Sequence, residues 1–191
     1  MIELTGDQIG RHGELVAAGD LSRPVMGRYR RPLFRAAQLG EKYPTVDFLV
    51  DTLGRGDVSL GFFFVQVKAT SEAVEDDPRL PVDLPIDRFN RLVRMPAPTF
   101  VIGVDLNLER SYLVSAHKTR KTRVSSITKS YCLRDDRVKD HPFNNFLFWS
   151  AGACSRFVPG SLLPAADVRQ IREQAPSVKA GASSRTPKTS P

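Results

Sequence analysis

Residues 46–70, VDFLVDTLGRGDVSLGFFFVQVKAT, decide the fold, because two runs rich in β-branched and aromatic residues flank a short turn. The turn at residues 54–57 has the composition of a hairpin, so the pattern predicts two antiparallel strands. Large apolar side chains occur at both alternating sets of the second run, which predicts a central strand covered on both faces. Side chains alternate along a strand, so every second residue shares one face. One such set is Phe62, Phe64, Gln66 and Lys68.

A helix is predicted before this hairpin. Thr5 and Gln8 form the T-x-x-Q pattern of a capping box, and Pro24 prevents the helix from propagating further. The sequence LFRAAQL at 33–39 predicts a second, short helix.

After the hairpin, an acidic and proline-rich stretch predicts a loop. Residues 87–94 then predict a short helix, and TFVIGVDL and SYLVSAH predict two further strands at 99–106 and 111–117. The expected main order is helix, strand, strand, helix, strand, strand. The predicted class is α/β, with a central mixed β-sheet flanked by helices.

The chain divides by composition into three parts. Residues 1–117 form the expected core. Residues 118–174 form a basic stretch and a C-terminal extension expected to pack on that core, with an apolar segment at 143–158 and a helix at 164–174. Residues 175–191 are rich in Ser, Pro and Lys with little to bury, which predicts a disordered tail.

Length and composition exclude several classes of protein. The 191 residues are 41% hydrophobic, enough for one domain with a proper core, and no apolar run reaches the length of a membrane span. Cys132 and Cys154 cannot make a disulfide framework, and the first residues lack a signal-peptide pattern. We therefore expect a cytoplasmic protein. The three histidines have no zinc spacing, and there is no glycine-rich phosphate loop.

The charge distribution favours a polyanionic partner. The net charge is +7, and basic residues concentrate at 23–42 and 118–139, whereas residues 72–87 are acidic. This polarity is typical of proteins that follow a phosphate backbone, so DNA is the expected partner. The candidate nucleic-acid contacts are Lys118, Arg120, Lys121 and Arg123.

An acid at the start of one strand, a Gln-x-Lys triplet on the next and an upstream helical Glu form a specific combination. Asp47, Gln66, Lys68 and Glu14 supply it. This combination resembles the restriction-endonuclease-like PD-(D/E)xK superfamily, within it a bacterial group of unknown function. The resemblance implies a restriction-endonuclease-like core and a metal-dependent nuclease acting on DNA, in bacterial defence or DNA processing.

The resemblance also implies a site for Mg²⁺ or Mn²⁺. Such hard cations prefer oxygen ligands. The implied ligands are Asp47, Glu14, the side-chain oxygen of Gln66 and the carbonyl of Val67. Lys68 would orient or help to deprotonate the attacking water and neutralise charge on the scissile phosphate.

Several alternatives stay open at the level of sequence. Asp51 shares a strand face with Asp47 and rivals it as a ligand. Most active members of the superfamily carry Glu or Asp where this chain has Gln66, so a catalytically inactive module that binds nucleic acid or a protein partner is the main alternative. A third possibility is a purely structural subunit that docks another protein through residues 143–158. A protein partner or a homodimer also stays open.

Overall fold

The computed structural model describes residues 5–27, 29–40, 43, 45–116, 124–140 and 142–143. The chain divides into two units, Met1–Ser150 and Ala151–Pro191, and all described residues belong to the first. The predicted helix at 164–174 and the predicted disordered tail lie outside the described residues. So do most of the apolar segment and the four candidate nucleic-acid contacts, Lys118, Arg120, Lys121 and Arg123.

Two helices and seven strands are named within the described residues. In chain order they are α1 (Gly6–Ser22), β1 (Phe34–Gln38), β2 (Phe48–Leu53), β3 (Ser59–Thr70), β4 (Arg79–Leu84), α2 (Ile86–Val93), β5 (Thr99–Asp105), β6 (Arg110–Ser115) and β7 (Val124–Thr128).

The predicted capping box begins α1. The Thr5 hydroxyl accepts from the Gln8 amide at 3.4 Å, and the Gln8 side chain accepts from the Thr5 amide at 2.8 Å. These two bonds satisfy amides that a helix start leaves unpaired. The helix ends at Ser22, two residues before Pro24, so this prediction is confirmed.

The central sheet has the order β1-β2-β3-β5-β6. Neighbouring strands are antiparallel except β3 and β5, which are parallel. The predicted β2–β3 hairpin is confirmed, with a 3-10 turn at Arg55–Asp57. β3 is central, as predicted, because buried clusters pack on both of its faces. β4 and β7 form a separate two-stranded sheet.

Each face of the central sheet has its own apolar layer. On one face, α1 contributes Ala17 and Leu21 to a cluster with Phe63, Val65 and other alternate strand residues. The helix approaches closely at Gly13, where a Cβ atom would lie 2.4 Å from the Cβ of Ala69. Glycine at this position is therefore what allows α1 to rest on β3.

The opposite face is covered over part of its width. Phe89 and Leu92 of α2 pack with Leu80 and Leu84 of β4 and with Val101 of β5. The α/β class and the central mixed sheet flanked by helices are thus confirmed, and the sheet has five strands.

Residues beyond β7 form hydrogen bonds with the end of α1 and with the residues that follow it. The Arg134 guanidinium donates to the buried Asp20 carboxylate at 3.0 Å, and the Lys139 ammonium donates to the Arg23 carbonyl at 2.7 Å. The Asp136 carboxylate accepts from the amides of Met26 and Gly27. We call this set of contacts the clasp.

Three predictions of local structure were wrong. Residues 33–39 were expected to be helical, but Phe34–Gln38 is strand β1. Seven residues are too few to offset the cost of helix nucleation, and pairing with β2 supplies backbone hydrogen bonds instead. The acidic, proline-rich loop contains β4, and the basic stretch contains β7, so the predicted element order omitted three strands. Among the described residues, no helix has the length and apolar character needed to cross a membrane.

Candidate functional site

Three of the sequence-predicted residues meet where β2 begins beside the second half of β3. The strand register pairs Leu49 with Phe64 and Phe48 with Val65, which sets Asp47 opposite Gln66. Asp47 and Gln66 therefore lie on the same face of the sheet, and Lys68 is two residues further along that face. This is the face that α2 and β4 cover.

The Asp47 carboxylate is the centre of this cluster. Its Oδ2 atom accepts hydrogen bonds from the Gln66 side-chain amide at 2.6 Å and from the Val67 backbone amide at 2.5 Å. Burial raises the pKa of Asp47, and the Val67 amide, Lys68, Arg88 and Gln66 oppose that rise. Asp47 is thus a partly desolvated anion whose charge lacks full compensation.

The Gln66 side chain is 5% exposed, and its two ends have different surroundings. The nitrogen Nε2 faces two oxygens, Asp47 Oδ2 at 2.6 Å and the Val67 carbonyl at 3.2 Å. The oxygen Oε1 is buried with no hydrogen-bond partner. A buried acceptor without a partner is costly, and Thr52 and Ser111 carry such atoms as well.

These atoms include oxygens of the kind that a hard cation binds. The Asp47 carboxylate and the Val67 carbonyl both contact the Gln66 nitrogen, and a rotation of the amide by half a turn would exchange that nitrogen for Oε1 and set three oxygens side by side. Carboxylate, carbonyl and amide oxygens are the ligands that Mg²⁺ accepts. Within the described residues, no group of three or more Asp, Glu, His or Cys side chains is placed to hold a metal. A site here would depend on amide and backbone oxygens.

Lys68 lies beside this cluster and is half-buried. Burial lowers the pKa of Lys68, helped by Arg88 and opposed by Asp47 and Asp83. Its side chain borders an open groove of about 420 Å³, whose lining also includes the acidic residues Glu72 and Asp83. Among these lining residues, Lys68 is the one whose charge attracts an anion.

Glu14 is placed apart from the other predicted residues. It projects from α1 and accepts a 2.6 Å hydrogen bond from Gln38 of β1. Burial raises the pKa of Glu14, and so does electrostatic repulsion from the Asp47 carboxylate. Gln38 pairs with Phe48, which packs in the α1 layer, whereas Asp47 belongs to the other face.

Asp51, the rival ligand, makes other contacts. Its carboxylate accepts from Arg35 at 2.8 and 3.2 Å and from Ser59 at 3.3 Å. Asp51 lies next to Phe62 in the strand register, away from Lys68. These contacts favour Asp47 as the residue that serves the cluster.

Two charged residues of the site were missed by reasoning from sequence. Arg88 of α2 influences both Asp47 and Lys68, and Asp83 of β4 influences Lys68. Both belong to the connection between β3 and β5. Because β3 and β5 are parallel, that connection must cross one face of the sheet, and here it brings α2 and β4 over the cluster. The one sign that could have pointed to Arg88 and Asp83 is that they lie in the connection between two parallel strands, which must cross a face of the sheet.

Comparison of the chain with protein-family models, with curated proteins and with solved structures gave no match.

Proposed function

We propose that this protein is a metal-dependent nuclease of the restriction-endonuclease-like kind, which hydrolyses phosphodiester bonds of DNA in bacterial defence or DNA processing. One observation carries the proposal. The Asp47 carboxylate and the Val67 carbonyl both contact the Gln66 amide nitrogen, the Gln66 oxygen is buried without a partner, and Lys68 is adjacent.

The architecture supports the same function. The superfamily that the sequence resembles is built from a helix followed by strands carrying an acid and then a Gln-x-Lys or Glu-x-Lys triplet. Here α1 precedes the β2–β3 hairpin, Asp47 stands at the start of β2, and Gln66 and Lys68 stand on β3. The sheet continues through the parallel strand β5, so the two strands direct their carboxyl ends to one edge, where open α/β sheets commonly bind ligands.

The side chains divide the work of the proposed reaction. Asp47, the Gln66 oxygen and the Val67 carbonyl would hold Mg²⁺ or Mn²⁺, and Glu14 could reach it through water. The bound cation would polarise the phosphodiester and lower the pKa of the attacking water. Lys68 orients that water and neutralises charge on the phosphate as it builds up. Arg88 adds a second positive charge near the same position.

A cleavage assay tests the proposal. Purified protein is incubated with supercoiled plasmid and with single-stranded circular DNA in Mg²⁺, in Mn²⁺ and in EDTA, and nicked and linear products are measured. We expect cleavage with either metal, loss of cleavage in EDTA, and loss in both Asp47→Asn and Lys68→Ala. Arg55→Ala, which removes an exposed cation at the hairpin turn, should cleave like the parent protein. Cleavage that persists in both site variants would contradict the assignment.

Gln66 supports a second candidate, an inactive binding module. A neutral amide bonded to Asp47 stabilises the cluster with no cation present, which suits a fold that has lost the chemistry. This candidate predicts DNA binding that weakens with salt, is unaffected by EDTA and leads to no cleavage.

A further inference from the structure

Two aromatic rings extend the row of residues that carries the candidate site. Phe62 and Phe64 lie on the same face of β3 as Gln66 and Lys68, and their ring centroids are 5.5 Å apart with planes at 69°. Phe62 is 41% exposed, although it is large and apolar. We call these two residues the aromatic strip. It leads along β3 directly to the site.

The surface beside the aromatic strip is open. On neighbouring strands the same face carries Leu49, which is half-buried, and Ala37, which is exposed. Beside Phe62 it carries the ion pair of Asp51 and Arg35. The layer of α2, β4 and β7 packs over β5 and β6, with Phe64 at its margin. A shallow surface with both apolar residues and an ion pair therefore remains on the β1–β3 side of the sheet.

An arginine stripe runs along the margin of this surface. Residues three apart on a helix are neighbours, so Arg88, Arg91 and Arg94 form one exposed row on α2 and its cap, while Phe89 and Leu92 are buried. We call this row the arginine stripe.

The first residue of the arginine stripe lies near the candidate site. Arg88, at the first turn of α2, acts on both Asp47 and Lys68. Beyond the other end of the helix, the carbonyl of Pro98 accepts a 2.9 Å hydrogen bond from the Phe64 amide. The helix therefore runs from the Lys68 end of β3 towards the end that carries Phe64, and Arg91 and Arg94 are exposed along it.

We propose that the aromatic strip and the arginine stripe bind an unpaired DNA strand and guide it to the candidate site. Every base has a flat π face that can stack on an aromatic ring, and each phosphate is attracted by a cation beside it. In a duplex the faces of the bases are already stacked on one another, so the aromatic strip selects single-stranded DNA. This inference rests on the proposed function and narrows its substrate class.

Charge favours a nucleic acid over a second copy of this chain as the occupant. A second copy would bring its own arginine stripe against this one, whereas a polyanion brings opposite charge.

The test measures DNA binding without catalysis. Fluorescence anisotropy of a labelled oligothymidine strand and of a matched duplex is recorded in EDTA with the full chain. We expect tighter binding to the single strand, and a loss of roughly tenfold in Phe62→Ala and Phe62→Leu. Tyr131→Ala, which removes another exposed aromatic ring, should bind like the parent protein. Circular dichroism and thermal melting check that each variant is folded.

The arginine stripe has its own measurement. Arg91→Gln should make the slope of log affinity against log salt shallower by about 0.7 for the single strand, whereas Arg55→Gln should leave the slope unchanged. Equal affinity for both DNA forms, or parental binding by Phe62→Leu, would overturn the proposal. So would a dimer in sedimentation that Phe62→Ala converts to a monomer, because the aromatic strip would then be covered by a second copy.

The cleavage and binding results together distinguish failure of this inference from failure of the proposed function. Cleavage of duplex plasmid that does not depend on Phe62 would support a nuclease. It would refute the proposal that the aromatic strip and the arginine stripe bind single-stranded DNA. Phe62-dependent binding in EDTA, with no cleavage of single-stranded or duplex DNA in Mg²⁺ or Mn²⁺, would support the proposed single-strand binding and refute the nuclease.

Discussion

Gln66 donates a hydrogen bond from its side-chain amide to the Asp47 carboxylate at 2.6 Å. Because the amide is neutral, the pair carries one negative charge. A second carboxylate in place of the amide would repel Asp47 whenever no cation is present. The glutamine instead stabilises the empty cluster, at the cost of leaving its own oxygen buried without a partner. Protein stability and cation affinity should therefore respond in opposite directions to a change at this position.

The substitution Gln66→Glu tests that relationship. In EDTA at neutral pH we expect the variant to lose about 1–3 kcal/mol of unfolding free energy, because a buried hydrogen bond is replaced by two like charges. Mg²⁺ should raise its melting temperature more than that of the parent protein, because the cation binds the folded state.

Calorimetric melts with and without MgCl₂ provide the measurement, and Asn90→Asp, at an exposed position of α2, is a control for added charge. If Gln66→Glu melts like the parent in EDTA and does not respond to Mg²⁺, the cation site is wrongly placed.

Lys68→Met is predicted to stabilise the protein. Burial lowers the pKa of Lys68, so at neutral pH its charge favours the unfolded chain, and an apolar side chain of similar length removes that cost. Urea unfolding should give a higher midpoint for the variant, together with loss of cleavage. Arg55→Met should leave stability within about 0.5 kcal/mol of the parent value. A lower midpoint for Lys68→Met would mean that the ammonium is a net structural contributor.

Lys139 predicts a specific dependence of stability on alkaline pH. The side chain is 1% exposed, and burial lowers its pKa to about 8, with Asp20 and Asp136 opposing and Arg23 assisting. An unfolded lysine has a pKa of about 10.4, so between about pH 8 and 10.4 the unfolded state holds more protons. Over that window the parent protein should gain stability as pH rises, by up to about 1.4 kcal/mol per pH unit.

The comparison is with Lys139→Met, which removes the titrating group. Urea unfolding of both proteins at pH 7, 8, 9 and 10 isolates the contribution, because other groups titrate in both. The parent should gain on the variant as pH rises above 8 and hold a constant difference well below it. A constant difference across the whole range would show that Lys139 has an ordinary pKa.

Glycines of α1 offer a paired test of how the helix sits on the sheet. Gly13→Ala would set a Cβ atom 2.4 Å from that of Ala69, so the helix must move, and we expect a loss of about 1–3 kcal/mol. Gly10→Ala meets nothing within 4 Å and should instead gain about 0.5–1 kcal/mol through helix propensity. Thermal melts measure both. Similar effects for the two changes would contradict the close approach at Gly13.

The sequence predicted the parts of this fold that depend on local patterns. The capping box at Thr5 and the hairpin within 46–70 need only neighbouring residues to be recognised. β1 was mistaken for a helix because Phe34–Gln38 contains no strong β signal, and its pairing with β2 is a tertiary effect. β4 and β7 were missed because each strand gains its partner from the other, far along the chain.

The residues of the candidate site also divide into those that local patterns predict and those that depend on tertiary structure. Alternation along β3 predicted that Gln66 and Lys68 share a face, and the resemblance supplied Asp47 opposite them. Arg88 and Asp83 could not be anticipated, because their positions depend on how the crossover between β3 and β5 lies on the sheet. The separation of Glu14 from the cluster follows from which sheet face α1 covers, and periodicity does not encode that choice.

The clasp sets a condition on how this protein is made. Its bonds from Arg134 to Asp20 and from Lys139 to Arg23 join residues 114 and 116 positions apart. Synthesis proceeds from the N-terminus, so the end of α1 leaves the ribosome long before its partners exist. The native state of this unit can therefore be completed only after residue 139 has emerged. Until then Asp20, which also accepts from the Ser111 amide, lacks its Arg134 partner, and the apolar faces of the nascent chain are open to aggregation.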